Sequence, residues 1–304
     1  MLALRVLCPH TCTDDVLEVL HRHPAATHLV VHREACVEPV GDLVLADLAR
    51  EAVSEVLAEL QALPGAHDCA FTLDDRGTSL SRYADEAERI APGLGVDAVV
   101  WEEVEARTSE ESSLSASFVA LMVVATLIAA IALLLDSPVL IVGAMVVGPE
   151  FGPLAGLTVA VVQHRWDLAR RSVLALAVAF PLASLGAFGL TEVVRAIDRV
   201  PGSYADGSRP LTQFVSQPDG WALLVALLAG VAGVVSLTSA KSGALVGVAV
   251  SVTTVPAAAN VGVAAAAGRW SECGGAALQL GINLTAIVGA GIATLAVRRL
   301  GSRR

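Results

Sequence analysis

Two stretches of the chain place proline beside side chains that can hold an ion or carry a proton. In Gly148-Pro149-Glu150-Phe151-Gly152-Pro153 a carboxylate stands between two prolines inside a long apolar run. In Ser251-Val252-Thr253-Thr254-Val255-Pro256, followed by Asn260, hydroxyls and an amide surround a single proline. Proline cannot donate to the carbonyl four residues before it, and its ring crowds that carbonyl. Pro149 and Pro153 thus deprive the carbonyls of Met145 and Pro149 of their helical donors, and Pro256 does the same to Val252. Within a bilayer such oxygens must be met by a side chain, water or an ion. Glu150 is the charged residue set deepest in the apolar segments, and a carboxylate at that depth is costly enough to mark ion paths and proton relays. It can serve as a coupling site, a cation ligand or a gate, or lie in a re-entrant loop with no part in transport. The candidate substrate- or ion-binding residues are Gly148, Pro149, Glu150, Gly152, Pro153, Thr253, Thr254, Pro256 and Asn260. Gly148, Gly152 and Gly156 recur every four residues on one helix face, which suits close helix packing or a lining of bare backbone.

These stretches are copies of each other. Shifted by 104 positions without a gap, 10 of the 36 residues from Ile141 to Leu176 are identical. The Arg165-Trp166 and Arg269-Trp270 pairs coincide, and Glu150 falls on Thr254. Each copy holds three segments long enough to cross a bilayer, so the odd number turns the second copy over. Paired interrupted helices in inverted repeats point to a transport site at the repeat interface.

Six spans are expected near residues 116–135, 138–162, 172–195, 220–239, 242–267 and 276–297, each near the roughly 20 residues that a hydrocarbon core requires. Asp136-Ser137-Pro138 reads as a tight turn, Gln163–Arg171 as an interfacial loop, and Asn283 as an interhelical hydrogen-bonder. The repeats take in about 116–195 and 220–297, and 298–304 form a basic tail. With the N-terminus inside, one face collects Arg165, Arg170, Arg171, Lys241, Arg298, Arg299, Arg303 and Arg304. The other collects Arg195, Arg199, Arg209 and Arg269, so the excess predicts a cytoplasmic N-domain and C-terminus. Trp166, Trp221 and Trp270 stand near span ends, where indoles favour the interface.

The front of the chain is different. Residues 1–116 carry 8 Lys/Arg and 22 Asp/Glu, leaving 12 and 8 for the remainder, and the whole has a mean hydropathy of +0.66. So acidic a front end argues against nucleic acid as a partner. Strands near Leu2–Cys8, Thr27–His32, Asp42–Leu48 and Cys69–Leu73 alternate with helices at Thr13–His23 and Arg50–Leu63. The order β-α-β-β-α-β predicts a ferredoxin-like domain over 1–80, joined by a helical acidic linker over 81–115. Cys8, Cys12, Cys36, Cys69 and Cys273 are an odd, scattered set and read as reduced thiols. Cys8-Pro9-His10-Thr11-Cys12 lacks a second pair at structural-zinc spacing, so no metal is assigned. Neither a His-Glu-x-x-His zinc motif nor a phosphate-binding loop is present, and the chain does not read as an enzyme.

The run Ser137-Pro138-Val139-Leu140-Ile141-Val142-Gly143-Ala144-Met145-Val146-Val147-Gly148-Pro149-Glu150-Phe151-Gly152-Pro153 resembles a prokaryotic membrane family catalogued as domain of unknown function 389. That resemblance implies a polytopic inner-membrane protein and carries no settled substrate or catalytic residue. The expectation is a homo-oligomeric transporter or channel in the lipid bilayer, moving a small solute or ion past paired broken helices. A small-molecule regulator would act at the N-terminal domain. The alternative is a membrane-anchored sensor whose N-terminal domain binds a small metabolite or nucleotide. The cofactor is unknown.

Overall fold

The computed structural model describes residues 1–75, 81–91, 99–205, 211–212, 220–238 and 246–301. Of the sequence expectations, those on residues 92–98, Arg209, Lys241, Arg303, Arg304 and the Ser251 side chain lie outside the described residues. The chain divides into two compact units, Met1–Val104 and Glu105–Leu237 with Ser242–Arg304.

In the first unit, β1 (Leu2–Cys8), α1 (Thr13–Arg22), β2 (Ala26–Val37), β3 (Val40–Leu48), α2 (Val53–Gln61) and β4 (Ala70–Asp75) follow the expected order. The sheet runs β2-β3-β1-β4, all antiparallel. Leu2 pairs with Leu48 and Cys8 with Asp42 across β1 and β3. The central position of β1 explains its nearly continuous apolar sequence. Val53, Val56, Leu57 and Leu60 form the buried stripe of α2, and they share a core with Leu4, Val6, Leu20, Val44 and Leu48. Arg50–Ala52 forms a 3-10 turn, so α2 itself begins at Val53, three residues later than its periodicity suggests. The segment between the strands and the apolar helices holds α3 (Arg82–Ile90) and α4 (Trp101–Glu111).

The second unit is helical. α5 (Ala116–Leu134) starts at Ser115, whose hydroxyl accepts from the Phe118 N–H at 3.1 Å. Ser137 caps α6 (Pro138–Val147), with Pro138 in the first helical position, where a missing N–H costs nothing. α7 (Phe151–Gln163) follows after a short break, then α8 (Trp166–Ala196), α9 (Gly202–Ala205), α10 (Gly220–Thr238), α11 (Val246–Ala266) and α12 (Trp270–Gly301). Four helices among the described residues, α5, α8, α10 and α12, are long and apolar enough to cross a membrane. The pair α6–α7, bent by 57°, passes the same test together.

Three details depart from the sequence reading. Trp166–Arg171 is helical, not loop, because the turn is confined to His164 and Arg165: His164 takes the left-handed conformation (φ 61°), and the Arg165 N–H closes back on Ala160 at 2.9 Å. α12 likewise begins at Trp270, well before the predicted span, after Gly268 (φ 71°) and an Arg269 N–H bond to Ala264 at 2.9 Å. Finally, α11 is helical straight through Pro256, so of the two expected breaks only the first is present. Gly148 precedes a proline and is extended (ψ 124°), the conformation that proline imposes on its predecessor. Val255 also precedes a proline, but it is fully buried among packed helices that hold it helical. A Gly-Pro step breaks the helix; a lone proline in a packed one does not.

α11 is the buried centre of the bundle. Val255, Ala257, Ala258, Ala259, Val263 and Ala264 are almost wholly excluded from solvent, and the helix packs on α5, α6, α8 and α12. Its small residues let neighbours come close. A Cβ on Gly262 would lie 2.2 Å from the Ser184 carbonyl oxygen of α8.

Candidate functional site

The break after α6 sets Glu150 at the head of α7, where the partial positive charge of the helix N-terminus favours a carboxylate. Pro153 is the third residue of α7, inside the first turn, so its missing N–H removes no helical bond. The bend carries Glu150 inward: it is 0% exposed. Its Oε1 accepts a hydrogen bond of 2.7 Å from Thr254 Oγ1 of α11, which is equally buried. The two partners are 104 residues apart, the same interval that relates the two sequence copies.

Thr253, next to Thr254, faces a third helix. Its carbonyl accepts from Asn283 Nδ2 of α12 at 2.8 Å. A carbonyl can only accept, so this bond fixes which end of the Asn283 amide points where. Asn283 Oδ1 and Thr253 Oγ1 are buried and have no hydrogen-bond partner among the described residues. Gln279 Oε1, about one turn earlier on α12, is in the same position. Asn260 is fully buried farther along α11, and Pro256 lies between it and the threonines.

Gly152 and Gly156 belong to tight packing. A Cβ on Gly152 would meet the Glu111 carbonyl oxygen at 2.8 Å, and the Gly152 carbonyl accepts from Ser112 Oγ at 3.3 Å. A Cβ on Gly156 would fall 2.0 Å from Ser112 Oγ and 2.8 Å from Ser172 Oγ. Gly148 and Pro149 form the half-buried hinge itself. Of the nine sequence candidates, then, Glu150 and Thr254 touch, Thr253 joins them through the backbone, Asn260 is buried in α11 beyond Pro256, and Gly148, Pro149, Gly152, Pro153 and Pro256 shape the helices.

Two arginines that sequence reasoning counted only as topology charges close helix ends. An Arg195 guanidinium N–H of α8 donates to the Ala266 carbonyl at the end of α11. Arg299 of α12 donates to the Val162 carbonyl near the end of α7 at 2.6 Å. Cations suit helix C-termini. The signal was available: the shift of 104 takes Arg195 to Arg299 and Val162 to Ala266.

In the first unit, the fully buried Asp42 accepts from the Glu34 N–H at 2.8 Å, Thr13 Oγ1 at 2.7 Å and Arg33 at 3.1 Å, with His10 Nδ1 at 2.7 Å. The Glu34 N–H foremost, then Thr13 and His10, hold its carboxyl far below the usual carboxylate range despite burial. The Cys69 thiol is pushed up to about 12 by burial and by the neighbouring Cys8 and Cys12. His28 bridges Asp47 at 2.9 Å and Ser81 Oγ at 2.9 Å, but Ser81 also caps α3, which accounts for its hydroxyl. Among the described residues no group of three or more His, Cys, Asp or Glu is placed to hold a metal ion.

Residues 145–289 match the family model described as Domain of unknown function (DUF389), the family that the Gly-Ala-Met and Gly-Pro segments resemble. An uncharacterized protein of Methanocaldococcus jannaschii is 25% identical over 207 residues, which take in 67% of this chain. The matched stretch spans 59% of that relative, less than two thirds of its length. No solved structure matches the chain.

Proposed function

With residues 145–289 taken as a DUF389 domain, we propose that this protein is a six-span inverted-repeat transporter or channel whose site lies at the Glu150–Thr254 junction. The observation that carries the reading is the hydrogen bond between residues related by the repeat interval of 104. If a two-fold rotation exchanges the copies, a contact between two equivalent residues maps onto itself and must lie at the axis.

Other features agree. Adding 104 to the bounds of α5 (Ala116–Leu134) gives those of α10 (Gly220–Thr238), and the start of α8 at Trp166 gives that of α12 at Trp270. The Arg195–Ala266 contact becomes Arg299–Val162 under the same exchange. The approach of Ala187 to Gly262 becomes that of Gly291 to Thr158. The sixth span is α11, added to the four long helices and the bent α6–α7 pair. Midplane sites between repeats, built where one helix is broken, are the recurrent design of secondary transporters. The first unit, with the strand order of a ferredoxin-like sandwich, is assigned a regulatory role on the cytoplasmic side.

Two experiments test this. Single cysteines replacing Trp166 and Trp270, both exposed and equivalent, are labelled with a membrane-impermeant maleimide in cysteine-free protein in sealed vesicles. Opposite-side labelling is expected, and same-side labelling refutes the inverted repeat. For transport, full-length protein in liposomes is screened by solid-supported-membrane electrophysiology against inorganic ions, amino acids and carboxylates. Currents seen with wild type should vanish in Glu150→Gln and persist in Gly274→Ala, where a Cβ meets nothing within 4 Å. Full currents in Glu150→Gln refute the role of Glu150.

A further inference from the structure

Resting on the reading of this junction as a transport site, we propose that its ion is a dehydrated monovalent cation, sodium, held by the Glu150 carboxylate with oxygens of Thr253 and Asn283. The polar groups that Glu150, the adjacent Thr253 and Thr254, and Asn283 have left to offer are acceptors. Thr254 already donates its proton to Glu150 Oε1 at 2.7 Å. The Asn283 amide spends a donor on the Thr253 carbonyl at 2.8 Å, which leaves Oδ1 as its acceptor end. Asn283 is 0% exposed, and its Oδ1 and Thr253 Oγ1 are buried with no hydrogen-bond partner among the described residues.

Leaving buried carbonyl and hydroxyl oxygens unmatched is costly, and a donor or a cation must satisfy them. A proton on Glu150 would supply one donor and leave the amide oxygen unmatched. A hard cation takes several oxygens at once. Charge sets the valence. Among the described residues the junction has a single carboxylate, so a singly charged ion gives a neutral centre, whereas a divalent one would leave a net charge buried at high cost.

The test uses full-length protein in detergent, with sodium, potassium or choline chloride at equal ionic strength as the probes. Sodium alone is expected to raise Tm by several degrees and to show saturable binding of radioactive sodium. Thr253→Val and Asn283→Ala should each weaken sodium binding about ten-fold, the loss of one ligand bond to a charged partner. Thr253→Ser, which keeps the hydroxyl, should restore it, and Glu150→Gln should abolish it. Thr253→Val guards against an Asn283 variant that fails to fold. Equal Tm in sodium and choline, with no saturable sodium binding by folded wild type, overturns the proposal. If sodium binding is absent while Glu150→Gln still abolishes solute currents, the cation site falls and the transport reading stands. If sodium binds and no solute current is found, the cation site stands and the transport reading falls.

Discussion

The Glu150–Thr254 bond can be measured as a coupling energy. Thr254→Val removes the hydroxyl at nearly constant shape, Glu150→Met removes the carboxylate, and the double variant completes a thermodynamic cycle. Both side chains are fully buried and the bond is 2.7 Å long, so solvent cannot substitute for the missing partner. Hydrogen bonds to charged groups contribute about 1.5–3 kcal/mol. Bonds between neutral side chains of membrane helices average only about 0.6 kcal/mol, because partners are also found in the unfolded membrane state. The expected coupling, read from denaturant unfolding in mixed micelles, is therefore about 1.5–3 kcal/mol. Thr254→Val alone should destabilise, whereas Glu150→Met can stabilise by removing a buried charge, and the cycle separates that effect from the bond. A coupling near about 0.6 kcal/mol would assign the bond to a protonated acid. A coupling of zero within error would refute the contact and, with it, the placement of the two copies about a common axis.

Gly262→Leu should lower Tm strongly, since even a Cβ there lies 2.2 Å from the Ser184 carbonyl oxygen; overpacking of this kind costs about 1–3 kcal/mol or more, and an unchanged Tm would refute the close α8–α11 crossing. Arg195→Met and Arg299→Met should each destabilise by about 1 kcal/mol in the same unfolding assay, and by similar amounts, because each removes one cap from a helix end. Asp42 has a folded-state carboxyl held below its ordinary value, so its contribution to stability is complete above about pH 4 and is lost as pH falls further. Hydrogen-exchange protection of Val40–Leu48 should show that loss in wild type and a flatter profile in Asp42→Asn. The thiol of Cys69, raised to about 12, should react slowly with iodoacetamide at about pH 8 in the native protein and quickly after denaturation.

Much of this architecture was legible because its signals are local. The apolar stripe of α2 and the near-continuous apolar run of β1 fix the first unit, and Gly148-Pro149 marks the break through backbone sterics alone. Glu150 stands out as a lone charge in apolar sequence, and Asn283 makes the interhelical bond expected of it. What sequence could not settle depends on packing. Pro256 looks as disruptive as Pro149 when read alone, yet the tertiary surroundings of α11 keep it helical. The tight turns at His164 and Gly268 read as longer loops because charged residues follow them; those residues begin helices instead. The arginine caps needed two distant carbonyls to be placed, and only the repeat interval hinted at them.

The unlike pair at the junction has a consequence for how the two copies could diverge. On a two-fold axis a residue meets its own equivalent, so identical copies would set either two glutamates or two threonines face to face. Two carboxylates at hydrogen-bond distance cannot both be ionised without strong repulsion, and two threonines carry no charge at all. One glutamate and one threonine, 104 residues apart and 2.7 Å from each other, give a single charge with a single donor. Under the proposed repeat, asymmetry at this contact is thus what leaves the junction with one charge rather than two or none.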